Sequence, residues 1–207
     1  MSIVTLNDRA VRSVTTFGSL NTGSMVFIKK LTASSSSTLS FVNGSSDVVL
    51  DDTYKEYIFY LINMHPETSG YNPKMSASVN GGSSYGVTAT TTDFRAAHNE
   101  AGSSTSLVYR TGTDLAQSTD PVHIFGGTGT GNENDECAVA IIHLFNPSST
   151  TFVKHFIART HGYSDDDRAY SNFSAGYFNT TSAINAIQFA NASGNIDAGD
   201  ICLYGIL

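Results

Sequence analysis

The sequence predicts an all-β fold, an antiparallel two-sheet β-sandwich of jelly-roll type behind a short N-terminal arm, and three observations carry that expectation. First, Tyr54 to Met64 (YKEYIFYLINM) is apolar on both faces of a strand. With a period of two, Tyr54, Ile58, Tyr60 and Ile62 point one way, and Tyr57, Phe59 and Leu61 the other. Its aromatic and β-branched content favours strand over helix, so it reads as a central strand that needs cover on both sides. Second, Cys137 to Phe145 (CAVAIIHLF) is another run of the same kind. Third, 40% of the residues are apolar and only 14% charged, with abundant Gly, Ser, Thr and Asn, which suits short strands joined by uncharged loops. A closed barrel is the alternative.

A chain of 207 residues fits one large β domain. Residues 1–24 differ from the rest: Val11, Val14 and Phe17 are spaced by three in a polar segment, and Asp8 suits the cap of a single helical turn. They read as an arm that docks on its own sandwich or on a neighbouring subunit, with residues 25–207 as the sandwich. Met25 to Leu31 and Thr38 to Phe41 are the first strands, with a serine run as the turn between them. Pro66 and Pro73 stop pairing after the central strand. Met75, Ala77 and Val79 then alternate with serines, and Asn80-Gly81-Gly82-Ser83 predicts a hairpin returning through Tyr85, Val87 and Ala89.

Thr92 to Gly102 fits either a short helix or a loop, while Leu107 to Arg110 and Val122 to Phe125 read as short strands. Gly126 to Glu136 (GGTGTGNENDE) reads as an exposed, flexible loop at one end of the sandwich. Asn146-Pro147-Ser148-Ser149 turns the chain into Thr151 to Ala158, and Phe173 to Phe178, Ala183 to Phe189 and Asp200 to Ile206 close it. LFNPSSTTFVKHF and YFNTTSAINAIQF share length, a Phe-Asn opening and a Ser/Thr turn, which predicts two hairpins of the same geometry. The total is ten to twelve strands, with Ile58, Phe59, Leu61, Ile141 and Phe156 expected in the core.

The formal charge of -7 and a sequence pI near 5.2 argue against nucleic acid, which needs a basic stripe. No stretch reaches the roughly 18–20 apolar residues of a membrane span, and the start lacks a signal-peptide pattern, so a soluble chain without membrane insertion is expected. Cys137 and Cys202 read as buried free thiols.

His143 and His155, brought roughly opposite by their turn, are better explained by cross-strand packing than by zinc, since no third ligand has a fixed spacing to them. Asn132 to Glu136 and Asp165 to Asp167 offer oxygen ligands but lack the spacing of a calcium loop, so solvated loops are expected. Neither a nucleophile elbow nor a Cys–His pair is present. Paired carboxylates for hydrolysis would have to come from Asp93, Glu100, Asp114 and Glu136, read as loop or strand-end residues with nothing fixing their separation. No catalytic residue, metal or cofactor is expected. Tyr71, Tyr85, Tyr163 and Tyr170 lie in or beside polar loops, where tyrosines pack over the loop edges or, when exposed, stack on sugars or anchor protein contacts. Tyr71, Tyr85, Asn132 and Asp135 are the candidate binding residues, and Val11, Val14 and Phe17 the candidate assembly residues.

Four segments, SIVTLNDRAVRSVTTFGSL, LSFVNGSSDVVLDDTYKEYIFYLINMHPET, HLFNPSSTTFVKHF and INAIQFANASGNIDAGDICLYGIL, resemble a group of virion structural proteins of marine tailed phages such as those of cyanobacteria. The resemblance covers nearly the whole chain, with Ser69 to Glu136 matching less clearly. It implies a non-enzymatic β-sandwich on the outside of the virion, in the tail apparatus or as a head decoration. The expected partners are other virion proteins, further copies of the chain in a homo-oligomer (a trimer being one expected form), and a host-surface glycan or protein. The resemblance supplies no catalytic or binding residue. A free carbohydrate-binding module and a glycanase are the competing classes.

Overall fold

A computed structural model describes residues 24–127 and 129–207, and the expected arm residues Val11, Val14 and Phe17 lie outside them. Among the described residues the chain is all-β, with eleven strands in two antiparallel sheets and no helix. The strands are β1 (Met25–Ser36), β2 (Leu39–Val42), β3 (Glu56–Pro66), β4 (Lys74–Ser78), β5 (Ala89–Asn99), β6 (Thr105–Tyr109), β7 (Ala138–Phe145), β8 (Lys154–Ser164), β9 (Arg168–Phe178), β10 (Ala186–Ala190) and β11 (Ile196–Ile206). The large sheet has the order β1-β11-β3-β7-β8-β9-β5-β6, and the small sheet the order β2-β10-β4.

The central-strand expectation holds for β3, which lies between β11 and β7. Tyr57, Phe59 and Leu61 point into the core and are at most 1% exposed. The small sheet answers with Phe41 and Phe189: the Phe59 ring meets them edge-on at 5.4 and 5.6 Å, and they meet each other at 6.4 Å. Burying each such ring is worth about 1.5–3 kcal/mol, so this cluster is the main clamp between the sheets. The Tyr57 hydroxyl extends the clamp to the preceding loop, donating to the Asp51 carbonyl and accepting from the Asp51 amide, both at 3.0 Å.

The alternation in β3 does not run its full length. Asn63 adopts φ 50° and the register with β7 slips between Leu61 and Met64, so Met64 rather than Asn63 turns inward. A bulge of this kind inserts one residue and reverses the two faces.

The second expected core strand is only half correct. In β7, Ala138, Ala140, Ile142 and Leu144 face the core, whereas Val139, Ile141, His143 and Phe145 face outward. Ile141, expected in the core, is 37% exposed because the outer face of the large sheet carries no second layer among the described residues.

Two expected hairpins are instead crossings between sheets. β4 belongs to the small sheet, while the chain that returns after the Asn80 turn enters the large sheet as β5. Likewise YFNTTSAINAIQF leaves the large sheet at β9 and enters the small sheet at β10, so only LFNPSSTTFVKHF makes the β7–β8 hairpin. Thr92 to Gly102 is neither helix nor plain loop but most of β5 and its turn.

Three strands cannot cover eight, and the connection from β6 to β7 makes up the difference. Residues 115–118 run beside β5, with Thr91 N donating to Leu115 O at 2.9 Å and Ala89 N to Ser118 O at 2.8 Å. The chain then crosses to β4, where Met75 and Val122 exchange backbone bonds of 3.0 and 2.8 Å. Val122, Ile124 and Phe125 are buried in the core cluster. Of the segment expected as an exposed loop, Gly126, Thr130, Gly131 and Glu136 are buried, while Gly127 and Asn132 to Asp135 are exposed.

These placements separate two isoleucine and phenylalanine positions that looked alike in sequence. Phe59→Ala should lower unfolding free energy in urea by about 3–5 kcal/mol as a buried aromatic cavity. Ile141→Ala should cost the isolated subunit less than about 1 kcal/mol.

Candidate functional site

Connections from several parts of the chain meet where β3 ends. Glu67 N donates to Asn195 O at 3.0 Å, and Asn195 N donates to the Glu67 carboxylate at 2.8 Å. Gly70 N donates to Thr130 O at 3.0 Å, and Asn132 Nδ2 to Glu67 O at 3.2 Å. His65 Nε2 lies 3.1 Å from Glu133 O, and Glu100 N donates to Asp167 O at 3.0 Å. Asp165 N donates to Gly129 O at 3.4 Å, so the turns after β3, β5, β8 and β10 and the glycine-rich segment form one surface. Two glycines there serve close approach: a Cβ on Gly129 would strike the Gly70 backbone, and one on Gly131 the Glu136 carboxylate.

In this surface lies a pocket of about 180 Å³ lined by Tyr71, Asn72, Lys74, His123 and Phe125 among others. Beneath Tyr71, Thr130 Oγ1 donates to Asn72 Oδ1 at 2.9 Å, while Asn72 Nδ2 donates to the Tyr170 hydroxyl at 3.2 Å. Of the two readings of Tyr170, packing holds: it is 1% exposed and its hydroxyl pKa is raised by burial, so it is a floor for the loops and not a contact residue. Tyr71 is half-buried in the pocket wall. Asn132 and Asp135 are exposed on the adjoining rim. Tyr85 is elsewhere: β4 starts beside the pocket at Lys74 and ends at Ser78, and the turn carrying Tyr85 follows that far end, beside Val42 and Asn185. The four candidate residues therefore do not share one surface.

Sequence reading missed Lys74, Asn72 and His123. His123 sits between Val122 and Ile124, the pattern of a side chain facing away from the core on a short extended run, and that was its available signal. Its imidazole pKa is lowered, first by burial and then by the nearby Lys74 ammonium, so the ring is held neutral.

Of the carboxylates considered for hydrolysis, Glu100, Asp114 and Glu136 lie in loops as expected, and Asp93 does not. Asp93 is in the middle of β5, 1% exposed, and faces the interior. Its Oδ1 accepts from Asn172 Nδ2 at 2.6 Å and lies 3.2 Å from Ser174 Oγ, and its Oδ2 accepts from Thr113 Oγ1 at 2.5 Å. These bonds tie β5, β9 and the β6–β7 connection together. Glu136 is also buried and accepts from Glu133 N at 2.8 Å. Asp114 accepts from the Tyr109 hydroxyl at 2.8 Å, and Glu100 is exposed in its turn.

His143 and His155 are not opposite each other, since His143 pairs with Ile157. His143 Nδ1 lies 2.5 Å from Glu56 Oε1, and the His155 ring meets Tyr177 edge-on at 5.9 Å. In the Asp165–Asp167 turn, Asp166 pairs with Arg168 at 2.8 Å and Asp167 accepts from the Tyr163 hydroxyl at 3.1 Å. Among the described residues no three His, Cys, Asp or Glu side chains cluster to hold a metal ion. Both cysteines are free, Cys202 buried and Cys137 half-buried.

The fold and loop surface define the class only as an all-β protein with one loop-built end. No protein-family model, curated protein or solved structure matches the chain.

Asp93→Ala leaves three buried donors without their carboxylate and should cost about 2–4 kcal/mol in urea unfolding. His123 gives a pH dependence whose sign follows from its lowered pKa. As pH falls through the ordinary value of 6.5, the unfolded chain takes up a proton that the folded chain still refuses, so stability declines. Above that range both states are neutral at this site and the contribution vanishes. His123→Asn should flatten the slope of unfolding free energy between about pH 7 and pH 5.

Proposed function

We propose that this chain is a non-enzymatic structural component on the exterior of a phage particle, a tail-fibre-like adhesin whose loop-built end touches a host-surface glycan or protein. The observation that carries the reading is the joining of connections from four strand ends and the glycine-rich segment into one hydrogen-bonded surface around Tyr71. Binding sites favour loops held by a rigid scaffold, and an aromatic ring beside amide and ammonium groups suits sugar hydroxyls or a polar protein patch. The resemblance of the sequence to phage virion proteins supplies the particle.

The strand order supports a jelly-roll reading. The first strand pairs with the last (β1 with β11), the second with the next to last (β2 with β10), and β3 with β7, while β4 bridges Val122. That is the nesting of a long hairpin wound into two sheets, with β5–β6 and β8–β9 as additions that widen one of them. A non-enzymatic role is supported by Asp93 and Glu136, whose carboxylates are buried and occupied by structural donors.

A free carbohydrate-binding module is the second reading, favoured by the Tyr71, Asn72 and Lys74 side chains around one pocket. Labelling intact particles with an antibody to this chain separates the readings. Signal at the tail is expected, whereas signal over the head at lattice positions makes the protein a decoration, and absence from particles favours the free module. Tyr71→Ala with Lys74→Ala should reduce binding of the purified chain to host cells at least about tenfold with the melting curve retained. Unchanged binding removes the pocket from the contact surface.

A further inference from the structure

The outer face of the large sheet is a second surface, unrelated to the loop end. An antiparallel sheet with one face on the core normally presents polar residues on the other. Here Ile62 of β3, Val139 and Ile141 of β7, and Ile157 of β8 project outward at 43, 40, 37 and 53% exposure. Phe94 of β5, 44% exposed, continues the patch across the sheet and stacks on Phe173 at 4.9 Å. Two adjoining grooves of about 470 and 530 Å³ run over this face and share Ile141 and Arg159. With large side chains offering roughly 150–200 Å² each, these partial exposures sum to roughly 400 Å² of apolar surface, the size of the largest patch on a typical monomer, which is often functional.

Charges of both signs lie on this face, Glu56 and Asp200 against Lys30 and Arg159. His143 faces Glu56 at 2.5 Å, and Lys30 faces Asp200 at 3.2 Å. The Arg159 guanidinium sits over the Phe173 ring, 5.2 Å from its centroid. A strongly acidic or basic partner would find no complementary field here, whereas a face without net charge of one sign can meet its own copy without repulsion. The apolar patch is about half of the roughly 800 Å² that each partner contributes to a stable interface, with the surrounding polar residues as the rim.

We propose that this face is the surface of self-association, and that a second copy of the chain packs its own outer sheet face against it. The proposal does not depend on the particle reading, because a free module with the same face would associate in the same way.

The test is the mass of the full chain by sedimentation equilibrium across the micromolar range. A mass of two subunits is expected, since a face packed on its own copy closes as a dimer, and a single-subunit mass throughout overturns the proposal, whatever else covers the face. Ile141→Glu with Ile157→Glu places charges at the centre of the contact and should raise the dissociation constant at least about a hundredfold with the circular dichroism spectrum retained. Phe152→Glu, at a 69% exposed residue in the β7–β8 turn, should leave association unchanged. An oligomer that persists in the folded double variant also overturns the proposal. Should the double variant not fold, Ile157→Ser alone, at the most exposed of these residues, takes its place, and an unchanged dissociation constant overturns the proposal.

Discussion

The rest of this structure depends on a mismatch in width. Eight strands stand in one sheet and three in the other, so the Phe41–Phe59–Phe189 clamp can seal only the part around β3 and β11. The inner face of β9 and β5 would otherwise be left to water. The β6–β7 connection solves this by pairing first with β5 and then with β4, carrying Val122, Ile124 and Phe125 into the core as it crosses. A backbone that enters the interior must satisfy its polar groups. Hence this half of the core is polar: Thr91 Oγ1 accepts from Leu115 N, Ser174 Oγ and Thr113 Oγ1 lie 3.2 Å from the His123 and Arg110 carbonyls, and Asp93 and Asn172 bond to these side chains beneath the sheet.

The same connection builds the loop end. After Phe125 it continues to Thr130, whose carbonyl holds Gly70 and whose hydroxyl reaches Asn72, and that fixes Tyr71 in the pocket wall. Stability and the candidate contact surface are therefore coupled through one segment, and shortening it would damage both. The outer sheet face is independent of this coupling. It is produced by the plain alternation of β7 and β8, and the bulge at Asn63 ends the inward run of β3 just where the loop end begins.

Strand identity was legible where local pattern suffices. Tyr54 to Met64 and Cys137 to Phe145 show apolar residues on both faces, and both became interior strands of the large sheet. That pattern says which residues avoid water, not whether a second layer of the same chain covers them, which is why Ile141 proved exposed. Pairing partners were less legible. Asn80-Gly81-Gly82-Ser83 and Asn179-Thr180-Thr181 carry turn chemistry that serves a hairpin and a crossing between sheets equally well, and the choice rests on contacts far apart in sequence. The glycines at 129 and 131 suggested looseness, but they serve close approach to Gly70 and Glu136. Tyr71 and Tyr85 looked equivalent because sequence does not show at which end of β4 a loop emerges. Asp93 looked like a strand-end carboxylate because its partners, Asn172 and Ser174, come from a strand about eighty residues later.

The β6–β7 connection acts as a structural wall rather than a surface loop. Native-state hydrogen exchange measures this directly at the amides that bind it or belong to it: Gly70, Met75, Ala89, Thr91 and Val122. Exchange at Met75, Thr91 and Val122 as slow as that of Phe59 and Ile142 is the expected result, with the whole set opening together in denaturant. Rapid exchange of these amides while β3 and β7 remain protected would mean that the connection opens on its own, and the widened half of the sandwich would need another cover.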